Sequence, residues 1–402
     1  MPLLTSLLLL IVLARLLGEL FARYKQPAIV GEMLAGVLLG PSVLGMIAPN
    51  EALKGIAELA VFLVVLSAGL EMKFRDVIDA MRGRGMVVAL LGFFIPLLAG
   101  IGVGVLFGLD VMRTIFLGLC IAITALPVAI RILESFNLLD SDIARYAIAT
   151  AIINDVTALL MLGVILSMPD ELNVKAVVWT VGNVSAKLLM LALFVVGINL
   201  LLEFLDKRGV NIKAGPERLI QVFGAEALFG IVVVFVLVFG SVSEALGFHF
   251  VIGAFFGALL IDRKYFLASR YDDLHKTLGS VTNGFLAPVF FAFLGLELAF
   301  SEIDSLWFVL VVLSVSIASK ILAGWLGGLL LKMPQEQALG LGIILNGRGI
   351  MELVVASIAF HKGFIDAGLF SVLVLMGVIT TILTPILFNR LVMPKISATT
   401  IA

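Results

Sequence analysis

Apolar residues run along this chain in long blocks, and polar residues collect in short stretches between them. A helix needs roughly 20 mostly apolar residues to cross a bilayer. On that measure the expected spans are 3–22, 28–48, 57–71, 86–109, 114–135, 146–168, 176–205, 219–241, 250–262, 277–297, 306–331, 338–360 and 367–389. The alternating pattern of a membrane barrel is absent. The pattern therefore predicts an all-α membrane protein with about thirteen transmembrane helices. The first block, MPLLTSLLLLIVLARLLGEL, has no basic leader and holds Arg15 inside it, so it reads as a first helix and not a cleaved signal.

The polar stretches add direction. Lys73, Arg75, Arg82 and Arg84 lie in 72–85; Lys207, Arg208, Lys213 and Arg218 in 206–218; Arg263, Lys264, Arg270 and Lys276 in 262–276. With thirteen spans these three stretches share one side. Basic loops face the cytoplasm, which puts the N-terminus outside and the C-terminus inside. The expected location is the cytoplasmic (inner) cell membrane.

Blocks also repeat. PAIVGEMLAGVLLGP (27–41) is like HFVIGAFFGALLID (249–262), and LVVLSAGLEM (63–72) is like FFAFLGLELA (290–299), at offsets of about 225 residues. The paired spans run in opposite directions, an inverted-topology repeat of the kind that builds secondary transporters. Extending the pairing matches span 114–135 with 338–360. Each has a breaker near its centre: TALP, Thr124 to Pro127, and NGRG, Asn346 to Gly349. Proline removes a backbone donor and glycine weakens a helix, so two broken, crossing helices are expected.

Composition narrows the function. The chain of 402 residues is 61% hydrophobic and 14% charged, with formal net charge −1. Nothing suggests nucleic-acid binding. The single cysteine, Cys120, rules out an internal disulfide or a cysteine metal cluster. No HExxH or GxSxG motif is present, and one mid-membrane aspartate is not an acid dyad. No enzyme and no cofactor are expected.

The charged residues inside the spans carry the chemistry. Asp155 follows Asn154 in AIINDVTALL, near the middle of its span. A carboxylate there is expensive and should face protein or water. It can hold a proton or a monovalent cation, but not both, which is the simplest basis for exchange. Asn154 points about 100° away on a helix and is free to satisfy backbone groups at the breaks. Lys320, central in SIASKILAGW, needs a partner, and Asp155 is the obvious candidate. Two roles stay open: an ammonium displaced from Asp155 by the cation, or one that only balances charge. Arg348 and Glu352 are four apart; where the helix continues beyond the break they share a face and pair, and the alternative is direct ion binding by Glu352. Glu71 and Glu297 end equivalent spans and read as interfacial, and His249 reads as a span-end residue.

QPAIVGEMLAGVLLGPSVLG, TALPVAIRIL, the Asn154–Asp155 pair, the lysine of the third-last helix and NGRGIMELV together resemble the monovalent cation:proton antiporter-2 family over about residues 10–390. The resemblance implies a sodium/proton or potassium/proton antiporter serving pH homeostasis. It implies a thirteen-helix fold with interleaved core ion-transport and dimerisation parts in a single membrane domain, 1–402, working by an elevator-like motion. It places the cation and proton at Asp155, with Asn154 beside it, Thr124 at the crossing and Lys320 as the core lysine. Pro127, Asn346, Arg348 and Glu352 support the broken helices. Homodimers would involve the first helix and span 176–205.

Two departures matter. Electrogenic relatives have two adjacent aspartates, and this chain has Asn154 in the first place, which suggests electroneutral exchange. Glutathione-gated potassium-efflux relatives add a cytoplasmic nucleotide-binding domain. No GxGxxG-type segment is present here, so no soluble regulatory domain is expected, and a separate regulatory subunit is one way to supply control. The alternative reading is a gated potassium or cation channel, or an efflux system lacking its regulatory domain.

Overall fold

The computed structural model describes residues 2–24, 26–71, 83–136, 138–139, 141–167, 174–208, 214–224 and 226–394. Among these residues every regular element is helical. Lys73, Arg75, Arg82 and Lys213, used above to orient the chain, lie outside the described residues.

The helices in chain order are α1 (Leu3–Arg23), α2 (Ala28–Leu39), α3 (Glu51–Leu70), α4 (Gly85–Leu106), α5 (Val111–Ala122), α6 (Leu126–Ser135), α7 (Asp142–Leu166), α8 (Val174–Lys207), α9 (Ala214–Phe223), α10 (Glu226–Ala245), α11 (Phe250–Leu259), α12 (Ala268–Val281), α13 (Ala287–Leu296), α14 (Leu306–Leu330), α15 (Gln335–Leu345), α16 (Ile350–His361) and α17 (Ala367–Leu391). Among the described residues ten helical segments are long and apolar enough to cross a membrane, and three shorter apolar helices, α2, α5 and α11, accompany them. These correspond one to one with the thirteen expected spans. The protein is a multi-pass helical membrane protein.

Four spans have boundaries that differ from expectation, each for a local reason. The second span stops at Leu39 because Gly40 caps it and Pro41 follows. The third starts early, at Glu51, because Asn50 Oδ1 accepts the Leu53 N–H at 3.0 Å and caps the helix. The eighth starts late, at Glu226, after a separate short helix, α9. Gly224 between them has φ +91°, a conformation that ends a helix and favours glycine. The tenth is longer than expected: α12 and α13 join through a wide π turn, Thr282–Leu286, just before Pro288.

The chain forms two compact units. One comprises Met1–Ala57, Asp76–Ala158 and Pro288–Ala402; the other comprises Glu58–Arg75 and Leu159–Ala287. In the second unit, Gly253 lets α11 approach α10 so closely that a Cβ would lie 2.1 Å from Phe239 O. Phe194, Phe235 and Phe239 pack beside this contact. In the first unit, Val88, Ala125, Val128, Ile344, Leu345 and Phe388 belong to one buried apolar cluster. Thr124, Asn154, Asp155, Lys320, Asn346, Arg348 and Glu352 all belong to this first unit.

Candidate functional site

The two breaks meet. After α5 the backbone at Ile123 and Ala125 is extended, with ψ 143° and 116°. Pro127 stands in the first turn of α6, where its missing N–H does no harm. Between α15 and α16 the chain leaves the helix at Asn346 and resumes at Ile350. The Ala125 N–H donates to Gly347 O at 2.9 Å across the crossing. Gly349 faces Ala125, and a Cβ there would lie 2.6 Å from the alanine Cβ. The glycine therefore serves close approach as well as the break.

A helix that stops leaves its last carbonyls without donors, and the end carries partial negative charge. At the end of α5 side chains fill that need. Arg348 Nη1 donates to Cys120 O and, at 3.1 Å, to Ile123 O. Lys320 Nζ donates to Ala122 O. Asn154 Nδ2 donates to the same carbonyl at 3.5 Å. At the end of α15, Leu345 O accepts from Thr124 Oγ1 at 3.0 Å.

Thr124 is the hub. Its hydroxyl gives its proton to Leu345 O, and its oxygen accepts from Lys320 Nζ at 2.7 Å and Asn154 Nδ2 at 3.3 Å. That uses the full capacity of a hydroxyl. Lys320 has a third acceptor, Gly92 O of α4, at 3.0 Å. Two glycines bring this lysine in. A Cβ on Gly342 would lie 2.3 Å from Ile321 O, and one on Gly324 would lie 2.4 Å from Gly342 Cα, so α14 and α15 touch backbone to backbone beside Lys320.

Three neutral acceptors match the three donors of an ammonium. The ion pairs among the described residues do not include Lys320 with Asp155. Asp155 is 3% exposed, and its Oδ1 is buried with no hydrogen-bond partner. The neighbouring Asn154 Oδ1 is likewise unpartnered. Arg348 Nη1 and Glu352 Oε2 are 3.6 Å apart, both side chains fully buried. Asn346 Nδ2 donates to Thr384 Oγ1 at 3.2 Å, and Thr381 Oγ1 donates to Arg348 O at 3.0 Å. The structure thus gathers Thr124, Asn154, Lys320 and Arg348 around the end of α5, and Asn346 and Glu352 beside the second break.

Sequence reasoning missed Gly92, Thr381 and Thr384. They stand in mostly apolar stretches, and only the fold brings them to the crossing. It also missed His361, whose Nε2 lies 2.7 Å from Glu297 Oε1. Glu297, read as interfacial, is mostly buried and held by this pair. His249 caps α11, its Nδ1 accepting from the Val251 N–H at 3.3 Å.

Comparison with known proteins gives the same picture. The family description "Sodium/hydrogen exchanger, transmembrane" matches residues 7–393. The Na+/H+-K+ antiporter GerN of Bacillus cereus is 23% identical over 380 residues, 94% of this chain and 93% of that protein. Cation/H+ antiporter 18 of Arabidopsis thaliana is 27% identical over 404 residues, 94% of this chain but 47% of that protein. The chain spans about half of this plant relative. Among solved structures, the sodium proton antiporter MjNhaP1 from Methanocaldococcus jannaschii matches with a TM-score of 0.71 at 20% identity, covering 96% of this chain and 95% of that one, a likeness of fold.

Proposed function

The chain belongs to the sodium/hydrogen exchanger family, and from that premise we propose that it exchanges a monovalent cation, sodium or potassium, for protons, with the two competing for Asp155. One observation carries the reading. Asp155 is buried with an unpartnered oxygen, while the nearby Lys320 spends its donors on Gly92 O, Ala122 O and Thr124 Oγ1. A buried carboxylate without a partner is costly. A bound proton or a bound cation removes that cost, and one site cannot hold both. Oxygen ligands of the carboxylate and carbonyl kind suit such a cation. GerN and the plant relative are named for exchange of the same class of ions.

On this reading one acid carries one charge. Asn154 keeps the break in order through Ala122 O and Thr124 and does not titrate. Lys320 has no N–H left to trade with Asp155, so its charge stays put. Exchange is then one for one and electroneutral. Residues 1–402 act as a single membrane domain, with ion-transport and dimerisation parts interleaved. The inverted repeat gives two alternating arrangements around a fixed site. The protein works as a homodimer in the cytoplasmic membrane, N-terminus outside.

The test is exchange in sealed proteoliposomes containing a pH-sensitive dye. Sodium, then potassium, is added with the membrane potential clamped or left to float. The expected result is cation-driven proton movement that ignores the potential. Sensitivity to potential overturns electroneutrality, and cation flux without proton movement identifies a channel.

A further inference from the structure

Proline 96 stands inside α4, at the end of the run GFFIP, residues 92–96. A proline has no N–H, so the carbonyl four residues before it loses its helical partner. That carbonyl is Gly92 O, the acceptor that Lys320 Nζ reaches at 3.0 Å.

For Lys320 the geometry has a further consequence. The side chain is fully buried, so each ammonium N–H needs a protein acceptor. Ala122 O and Thr124 Oγ1 supply two, and both belong to the break at the end of α5. Gly92 O is the third, and it comes from an unbroken helix, where carbonyls are normally taken by the backbone. Gly92 also keeps the approach clear: a Cβ there would sit 3.1 Å from Thr150 Cγ2 and 3.4 Å from Leu345 Cδ1.

We propose that Pro96 is a positioning residue for exchange: by withholding a donor from Gly92 O it reserves that carbonyl for the Lys320 ammonium, which keeps the lysine on the break and off Asp155. The inference rests on the exchange reading above for its functional part. Its structural part stands on the hydrogen bonds alone.

The experiment is a double-mutant cycle read by thermal unfolding of the purified full chain in detergent. Pro96→Ala supplies an N–H that competes with Lys320 for Gly92 O. In the wild-type background it is expected to lower Tm. In a Lys320→Met background Gly92 O has lost its lysine donor, and Pro96→Ala is expected to raise Tm by giving it a new one. A change of the same sign and size in both backgrounds overturns the proposal, because independent sites add. This cycle needs no transport, so failure of the exchange reading is seen separately, as absence of cation-driven proton movement by the wild type. If Lys320→Met gives no folded protein, the rate of exchange decides. Pro96→Ala and Pro96→Gly both restore the donor, and both are expected to slow exchange by about tenfold, the size of one hydrogen bond lost to a charged group. No slowing, or slowing graded by side-chain volume, overturns the assignment.

Discussion

Asp155 and Glu352 are both buried carboxylates in the same unit, yet they are held in opposite ways. Glu352 follows Arg348, which lies in the break, by four residues and is 3.6 Å from its guanidinium, in a pair fully withdrawn from solvent. Asp155 has no such ion pair among the described residues; its Oδ1, like both Glu352 carboxylate oxygens, accepts no hydrogen bond. Lys320, the cation expected to pair with it, is occupied with neutral oxygens. The difference separates scaffold from site. A charge neutralised by a guanidinium fixed at the break cannot easily change partner, whereas an unpaired carboxylate favours whatever cation or proton arrives. The guanidinium, meanwhile, bridges back to the other broken helix through Cys120 O and Ile123 O, so the Arg348–Glu352 pair ties the two breaks together.

Four substitutions test that contrast. The largest effect is expected from Asp155→Asn, which should cut cation-driven proton movement in proteoliposomes by about 100-fold or more. Its Tm should not fall, because an isolated buried charge is removed. Retained exchange would place the competition elsewhere. Glu352→Gln should do the reverse in kind, leaving Arg348 buried without a counter-charge at a cost of about 3–5 kcal/mol. Chemical or thermal unfolding in detergent measures it. A stable Glu352→Gln protein that has lost exchange would move Glu352 to the transport side of the comparison.

Thr124→Val keeps the shape of the hub and removes its hydroxyl. Leu345 O, Lys320 and Asn154 each lose a hydrogen bond, and the expected cost is about 1–3 kcal/mol with about a tenfold slower exchange. The smallest effect should come from His361→Gln. The His361–Glu297 pair is partly exposed at the histidine, and the glutamine amide can still donate to the carboxylate, so the expected cost is about 1 kcal/mol. A large loss of exchange in this variant would make the end of α16 part of the mechanism.

Much of the fold was legible from spacing alone. Apolar block length is a local property, and it yielded thirteen spans that match the helices. Breaks were legible because proline and glycine act on their own backbone. The shifted boundaries had local causes too, Gly40–Pro41 and Asn50 among them, that a block-length rule overlooks. The acceptors of Lys320 were harder. Gly92 stands in a stretch whose side chains are all apolar, and the one available clue was Pro96 four residues on.

What the sequence by itself determined is therefore what neighbours in the chain determine: which segments are membrane helices, where two of them break, and that Arg348 and Glu352, four residues apart, can pair. Tertiary structure alone decided that Lys320 binds carbonyls from two other helices and not Asp155, and that Thr124 joins both breaks. The physical reason is that the acceptors are backbone carbonyls. Every residue carries one, so no residue type marks it, and only packing in space selects which of them a buried cation reaches.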